Sequence, residues 1–236
     1  MAQPHSSYRG TREASEDEAT REQREAIVEL GEALRDLVQH ASATEAATAD
    51  LRRVAALVRA ATAPLAGHPR GRTQMPSADD LLAGIRLYNP VTGAGSALAP
   101  PLHIEVVDGV VVGTCVLGLA YEGPPMYAHG GVSALLLDQL LGHVVSADGH
   151  PGLTVSLVTR YRAPVPLQTP LRLTGHVTGL NSRGAEASGI IATAADPEKA
   201  LVEATASFAS LRVDQAMRLF GAALHPDATD PAAAHD

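Results

Sequence analysis

Residues 127 to 145, YAHGGVSALLLDQLLGHVV, constrain this chain more than any other stretch. From Gly131 to Val145 the apolar side chains of Val132, Leu135, Leu136, Leu137, Leu140, Leu141, Val144 and Val145 point in every direction around a helical axis. A helix that is apolar all round has to be enclosed on most sides. Asp138 stands in its middle, where an ionised carboxylate is costly unless it is paired, hydrated or put to use. The stretch therefore predicts a buried central helix that carries a functional carboxylate.

Gly131, Leu135, Asp138 and Gly142 fall on one stripe of that helix, and the glycines admit another backbone close beside it. Asp138 is thus expected to face a partner element. At the helix start, Gly130 and Gly131 leave the first N–H groups unshielded at the positive end of the helix dipole, where a developing oxyanion would be stabilised. Gly131 and Asp138 are separated along the axis by about 10 Å at the helical rise. One small carbonyl carbon cannot touch both. A second, antiparallel copy of the helix would set the Asp138 of one subunit opposite the Gly131 of the other, which predicts a homodimer with two composite sites.

The flanking sequence supplies the enclosure. In LHIEVVDGVVVGTCVLGLAYEG, Asp108-Gly109 divides two β-branched runs, a strong hairpin signal, and predicts strands over 102–107 and 110–121. Four further runs, near 153–163, 170–180, 185–195 and 200–212, are separated by APVPLQTP, NSRG and DPEK. Links this short suggest that consecutive strands are antiparallel neighbours. The expectation is an α+β layer in which an antiparallel sheet wraps a long central helix. Ahead of it, residues 1–17 read as a disordered arm, and 18–71 as a helical hairpin and linker. The second helix of that hairpin is expected to start near Ser42, in a capping box with Glu45, and to stop before Pro64. The main domain is assigned to 72–212, and 213–236 to a short helix and a flexible tail.

Composition narrows the function classes. With 18 Lys and Arg against 26 Asp and Glu the formal charge is -8, which lacks the cationic field that nucleic-acid binding needs. Tryptophan is absent and aromatics are scarce, so a base-stacking surface is not expected either. The one cysteine, Cys115, allows no intramolecular disulfide, and the N-terminus has no apolar signal core, so a cytoplasmic setting is expected. Ser133, Asp138, Gln139 and His143 interrupt the richest apolar run, which argues against a membrane span. The histidines show no ligand pairing, so no metal site is expected, and no Gly-x-Ser-x-Gly elbow is present.

GPPMYAHGGVSALLLDQLLG, with GLTVSLVTRYRAPVPL and LNSRG downstream, resembles the hotdog-fold acyl-CoA thioesterases, in particular the PaaI-like group. The resemblance covers roughly residues 100 to 212 and leaves the N-terminal helices unmatched. It implies that Asp138 is the general base or nucleophile, that the amide of Gly130 or Gly131 binds the thioester oxygen, and that His129 orients that region. Thr154 would assist the carboxylate. No cofactor is implied, since coenzyme A is part of the substrate, and the expected partners are acyl-CoA and further copies of the chain, as a dimer or a dimer of dimers.

An anionic coenzyme on an acidic protein needs local positive charge, and the candidates are Arg160 and Arg162, on one face of their strand, with Ser182 and Arg183 in the NSRG turn. Two other readings use the same scaffold. One is a noncatalytic acyl-CoA-binding or regulatory module. The other is an enoyl-CoA hydratase, suggested by the Asp138 to His143 spacing, although residues five apart on a helix diverge by about 140°.

Overall fold

The computed structural model describes residues 18–81, 83–108 and 110–224, so the expected N-terminal arm and the end of the expected tail lie outside the described residues. Two helices come first. Helix α1, Glu18–Ala43, sets its buried Gly31 so close to the 94–95 backbone that a Cβ there would collide with the Ala94 carbonyl oxygen. Arg35 donates to the carbonyls of Ala94 at 2.6 Å and Ser96 at 2.9 Å, and Arg24 donates to that of Ala78 at 2.8 Å. These contacts fasten α1 to the segment ahead of the sheet.

Helix α2, Thr48–Ala66, differs from expectation at both ends. Ser42 remains inside α1, donating to the Val38 carbonyl at 2.8 Å, so the capping box with Glu45 does not form. The N-cap is Ala47, without a side-chain bond. Pro64 lies inside the last turn instead of ending the helix, because its fixed φ suits a helix and only one hydrogen bond is forfeited there. No residue of α2 is buried.

Strands β1, His103–Val107, and β2, Val110–Val116, form the expected hairpin, with Val107 opposite Val110 and Asp108 at a φ of 51°. An L-residue other than Asp or Asn is rarely found there. β2 ends five residues earlier than predicted. The chain after it forms a short 3-10 turn, Leu119–Tyr121, which brings the Tyr121 carbonyl within 2.9 Å of the His129 amide.

Helix α3, Gly130–Ala147, follows, then β3, Leu153–Tyr161; β4, Pro170–Asn181; β5, Gly184–Thr193; β6, Val202–Ala209; and helix α4, Val213–Leu224. All strand pairs are antiparallel, in the order β1-β2-β4-β5-β6-β3. β3 and β4 are consecutive but not adjacent, which corrects the expectation. The link between them is strapped to residues 117–128 instead of turning back: Ala128 donates to Val165, Leu167 to Met126 and Gln168 to Leu117, at 2.7 to 3.0 Å. That path carries the chain across to pair β4 with β2.

The sheet wraps α3, the hotdog architecture. Leu136, Leu137, Leu140, Leu141 and Val145 are 0% exposed. Opposite them the sheet thins at a directly paired Gly175 and Gly189, where a Cβ on Gly175 would press within 3.1 Å of Leu141 and Val144. The glycine pair lets the helix sit low in the sheet. Although α3 is long and apolar enough to cross a membrane, here it is the core helix of the sheet.

Cys115 lies in this core, and burial pushes its thiol up to about 11. A thiol-specific chromogenic reagent at pH 8 is expected to leave it unmodified in the folded chain and to titrate it after denaturation; rapid reaction of the native protein would contradict the packing.

Candidate functional site

The start of α3 accounts for its N–H groups almost completely. His129 is the N-cap, in extended conformation, and its Nδ1 accepts from the Gly131 amide at 3.0 Å. A ring nitrogen that accepts carries no proton, so this cap uses the tautomer with its N–H on Nε2. The His129 carbonyl accepts from Val132 at 2.9 Å and Ser133 at 3.4 Å. Of the first-turn donors, only the Gly130 N–H has no partner among the described residues. The sequence left Gly130 and Gly131 equivalent; the cap separates them.

Asp138 lies two turns further along, half-buried between the leucines. The Thr154 hydroxyl donates to its Oδ1 at 3.0 Å, so these two expected site residues meet. Oδ2 has no partner among the described residues. Gly130 and Asp138 are eight residues apart, about 12 Å along the axis. Within one chain they are two separate stations.

Thr154 reaches Asp138 because of a defect in β3. Thr154 pairs with Phe208 and Ser156 with Ser207, which leaves Val155 as an extra, 68% exposed residue in a β-bulge. Beyond the bulge Leu157, Thr159 and Tyr161 oppose Ala206, Ala204 and Val202, all buried. A strand alternates faces with period two, so without the extra residue Thr154 would point away from Tyr161; with it, both face α3. The Tyr161 hydroxyl donates to the Gly130 carbonyl at 2.9 Å. Tyr161 is a residue of the site that the sequence does not mark. Regular alternation sets it on the face opposite Thr154, and no local signal marks the bulge.

The arginines are distributed differently from the expected patch. Arg160 is the cross-strand register neighbour of Glu203, and Arg162 donates to the Glu203 carboxylate at 2.8 Å, holding it below the usual carboxylate range. By strand alternation Arg160 and Glu203 stand on the outer face of the sheet, whereas Arg162, just past the end of β3, lines the cavity beside Gly130. Arg183 and Ser182 occupy the two-residue turn between β4 and β5, where the Arg183 amide donates to the Asn181 side chain at 2.8 Å. The turn adjoins Ala209, six residues along β6 from Glu203, or about 20 Å at the strand rise. One protomer does not gather these arginines into one cluster.

His143 points its Nδ1 back at the Gln139 carbonyl, 2.9 Å away, and Gln139 is reached in turn by Asn89 at 3.4 Å. It is tied to that chain of side chains and not to Asp138. A cavity of about 360 Å³ opens beside the helix start, and its lining includes Tyr127, Gly130, Ser133, Tyr161, Arg162 and Val165. A larger one, about 940 Å³ between α1 and residues 68–79, is remote in sequence from every residue of the site.

Comparison with known proteins points one way. The thioesterase superfamily model matches residues 127–197, which hold the helix, Asp138 and Thr154. Among solved structures, a thioesterase superfamily protein is 36% identical with a TM-score of 0.67, over 77% of this chain and 94% of that one. A hypothetical thioesterase protein from Streptococcus pneumoniae TIGR4, solved with coenzyme A, is 24% identical over 46% of this chain and 88% of its own, with a TM-score of 0.42. Zebra fish thioesterase superfamily member 2 is 18% identical over 47% and 82%, with a TM-score of 0.44. No curated protein matches the chain.

Proposed function

The chain belongs to the thioesterase superfamily, and from that premise we propose that it hydrolyses an acyl-CoA thioester to the free acid and coenzyme A. The observation that carries the reading is the half-buried Asp138, held through Oδ1 by Thr154 among the buried leucines of the core helix. In the proposed reaction Oδ2 takes a proton from water as the water oxygen bonds to the thioester carbon. The oxyanion so formed lies on the Gly130 N–H at the positive end of α3. The C–S bond then breaks, the carbonyl re-forms, and the coenzyme thiolate leaves with the proton returned through Asp138.

Asp138 and Gly130 of one chain are too far apart to serve one carbonyl, so the working site is composite and the enzyme a homodimer, alone or paired again. The edge strand β3 supports this assembly. It ends the sheet, and Leu153, Val155, Val158 and Tyr161 leave 43 to 68% of their surface exposed along it, which is an invitation to pairing. The acyl group is assigned to the cavity beside Gly130. Arg162 is shared with Glu203, whereas Arg160 and Arg183 make no ion pair among the described residues and are proposed to meet the phosphates, in different protomers if one coenzyme uses both.

Release of free thiol from a panel of acyl-CoAs tests the reading, with Cys115 silent toward the reagent in the folded protein. Turnover of at least one member, rising with enzyme concentration, is expected. Tight binding of the panel without turnover would instead assign the chain to acyl-CoA sensing.

A further inference from the structure

The peptide unit that joins Gly130 to Gly131 is held at both of its polar ends. Its N–H, on Gly131, donates to His129 Nδ1 at 3.0 Å, and its C=O, on Gly130, accepts from the Tyr161 hydroxyl at 2.9 Å. The preceding peptide, between His129 and Gly130, carries the open N–H. Its carbonyl end is engaged by Val132 and Ser133. We propose that Tyr161 is a positioning residue: by clamping the 130–131 peptide it fixes the direction of the unpartnered Gly130 N–H, so that the amide points at the position of the reacting oxygen.

Three observations support the clamp. Glycine has no Cβ to restrict its backbone, so at two successive glycines the direction of each peptide is set by the hydrogen bonds and contacts it makes. A Cβ on Gly130 would lie 3.4 Å from Cε1, Cζ and the hydroxyl of Tyr161, which sets the hydroxyl edge of the ring against that residue. The bulge at Val155 turns Thr154 and Tyr161 to the same face, so that β3, running antiparallel to α3, holds the carboxylate at one end and the oxyanion donor at the other. A backbone dipole aligned before the reaction needs no reorganisation when charge develops on the oxygen, and that is where such donors gain their effect.

This inference rests on the thioesterase reading, so the test uses one readout that depends on turnover and one that does not. Tyr161→Phe keeps the ring and removes only the hydroxyl. Amide hydrogen exchange of the full-length chain is expected to be faster at Gly131 in the variant, by about threefold or more, because its peptide has lost one restraint. On an acyl-CoA that the wild type turns over, kcat is expected to fall about tenfold with KM unchanged, the signature of an interaction made in the transition state. The midpoint of denaturant unfolding should stay within error. Unchanged exchange at Gly131 overturns the clamp, and so does faster exchange with an unchanged kcat, since the hydroxyl would then be only structural. If the wild type turns over no acyl-CoA, the enzyme reading fails separately, and exchange alone decides whether the clamp exists.

Discussion

Asp138→Asn is expected to lower kcat by about a thousandfold or more while leaving the fold and the affinity for coenzyme A unchanged. The substitution is nearly isosteric. An asparagine Oδ1 still accepts from Thr154 as the carboxylate does at 3.0 Å, so the side chain keeps its orientation. What disappears is the basic oxygen that receives the proton of water. A thousandfold loss corresponds to about 4 kcal/mol of transition-state stabilisation. The measurement is thiol release at saturating acyl-CoA, with unfolding and coenzyme binding as controls. Activity within tenfold of wild type would remove Asp138 from the chemistry.

Gly130→Pro is expected to cost about a hundred- to a thousandfold in kcat, and the local structure makes it a clean substitution. Gly130 is the first residue of α3, a position where proline is favoured because its missing N–H would have no helical partner anyway. His129 before it is extended, at φ -61° and ψ 135°, the conformation that a following proline requires. An added Cβ meets the Tyr161 ring at 3.4 Å, an ordinary contact. The variant thus removes the one open donor at a position whose backbone conformation accepts proline. Full activity in a folded Gly130→Pro protein would place the oxyanion elsewhere.

The two variants together test the composite site. Mixed in equal amounts and allowed to exchange subunits, they form heterodimers with one site carrying both lesions and one carrying neither. Random pairing then restores about a quarter of wild-type activity, since half of the dimers are mixed and each has one of its two sites intact. If exchange occurs and no activity returns, Asp138 and Gly130 do not meet across subunits.

Much of this protein is legible before any coordinates. An apolar helix with leucines on every side has to be enclosed, and the β-branched runs around it are the only elements that can enclose it. The expense of burying Asp138, and the absence of side chains at Gly130 and Gly131, mark the two stations from composition and spacing alone. Local signals were less dependable at the edges. Ser42 has the spacing of a cap but is absorbed into α1, and Pro64 looks like a stop but sits in a last turn that tolerates it.

What only the tertiary structure decided are the relations that depend on register and long-range contact. Which glycine amide is open follows from the His129 ring turning onto Gly131, a choice of rotamer. β3 lies beside β6 and not β4 because residues 162–169 are bound to 117–128, far away in sequence. Tyr161 faces α3 together with Thr154 because a single extra residue, Val155, reverses the alternation of the strand. Periodicity is a property of neighbouring residues and can be read from the chain; a bulge changes its phase through hydrogen bonds to another strand, and that phase determines which side chains reach the site.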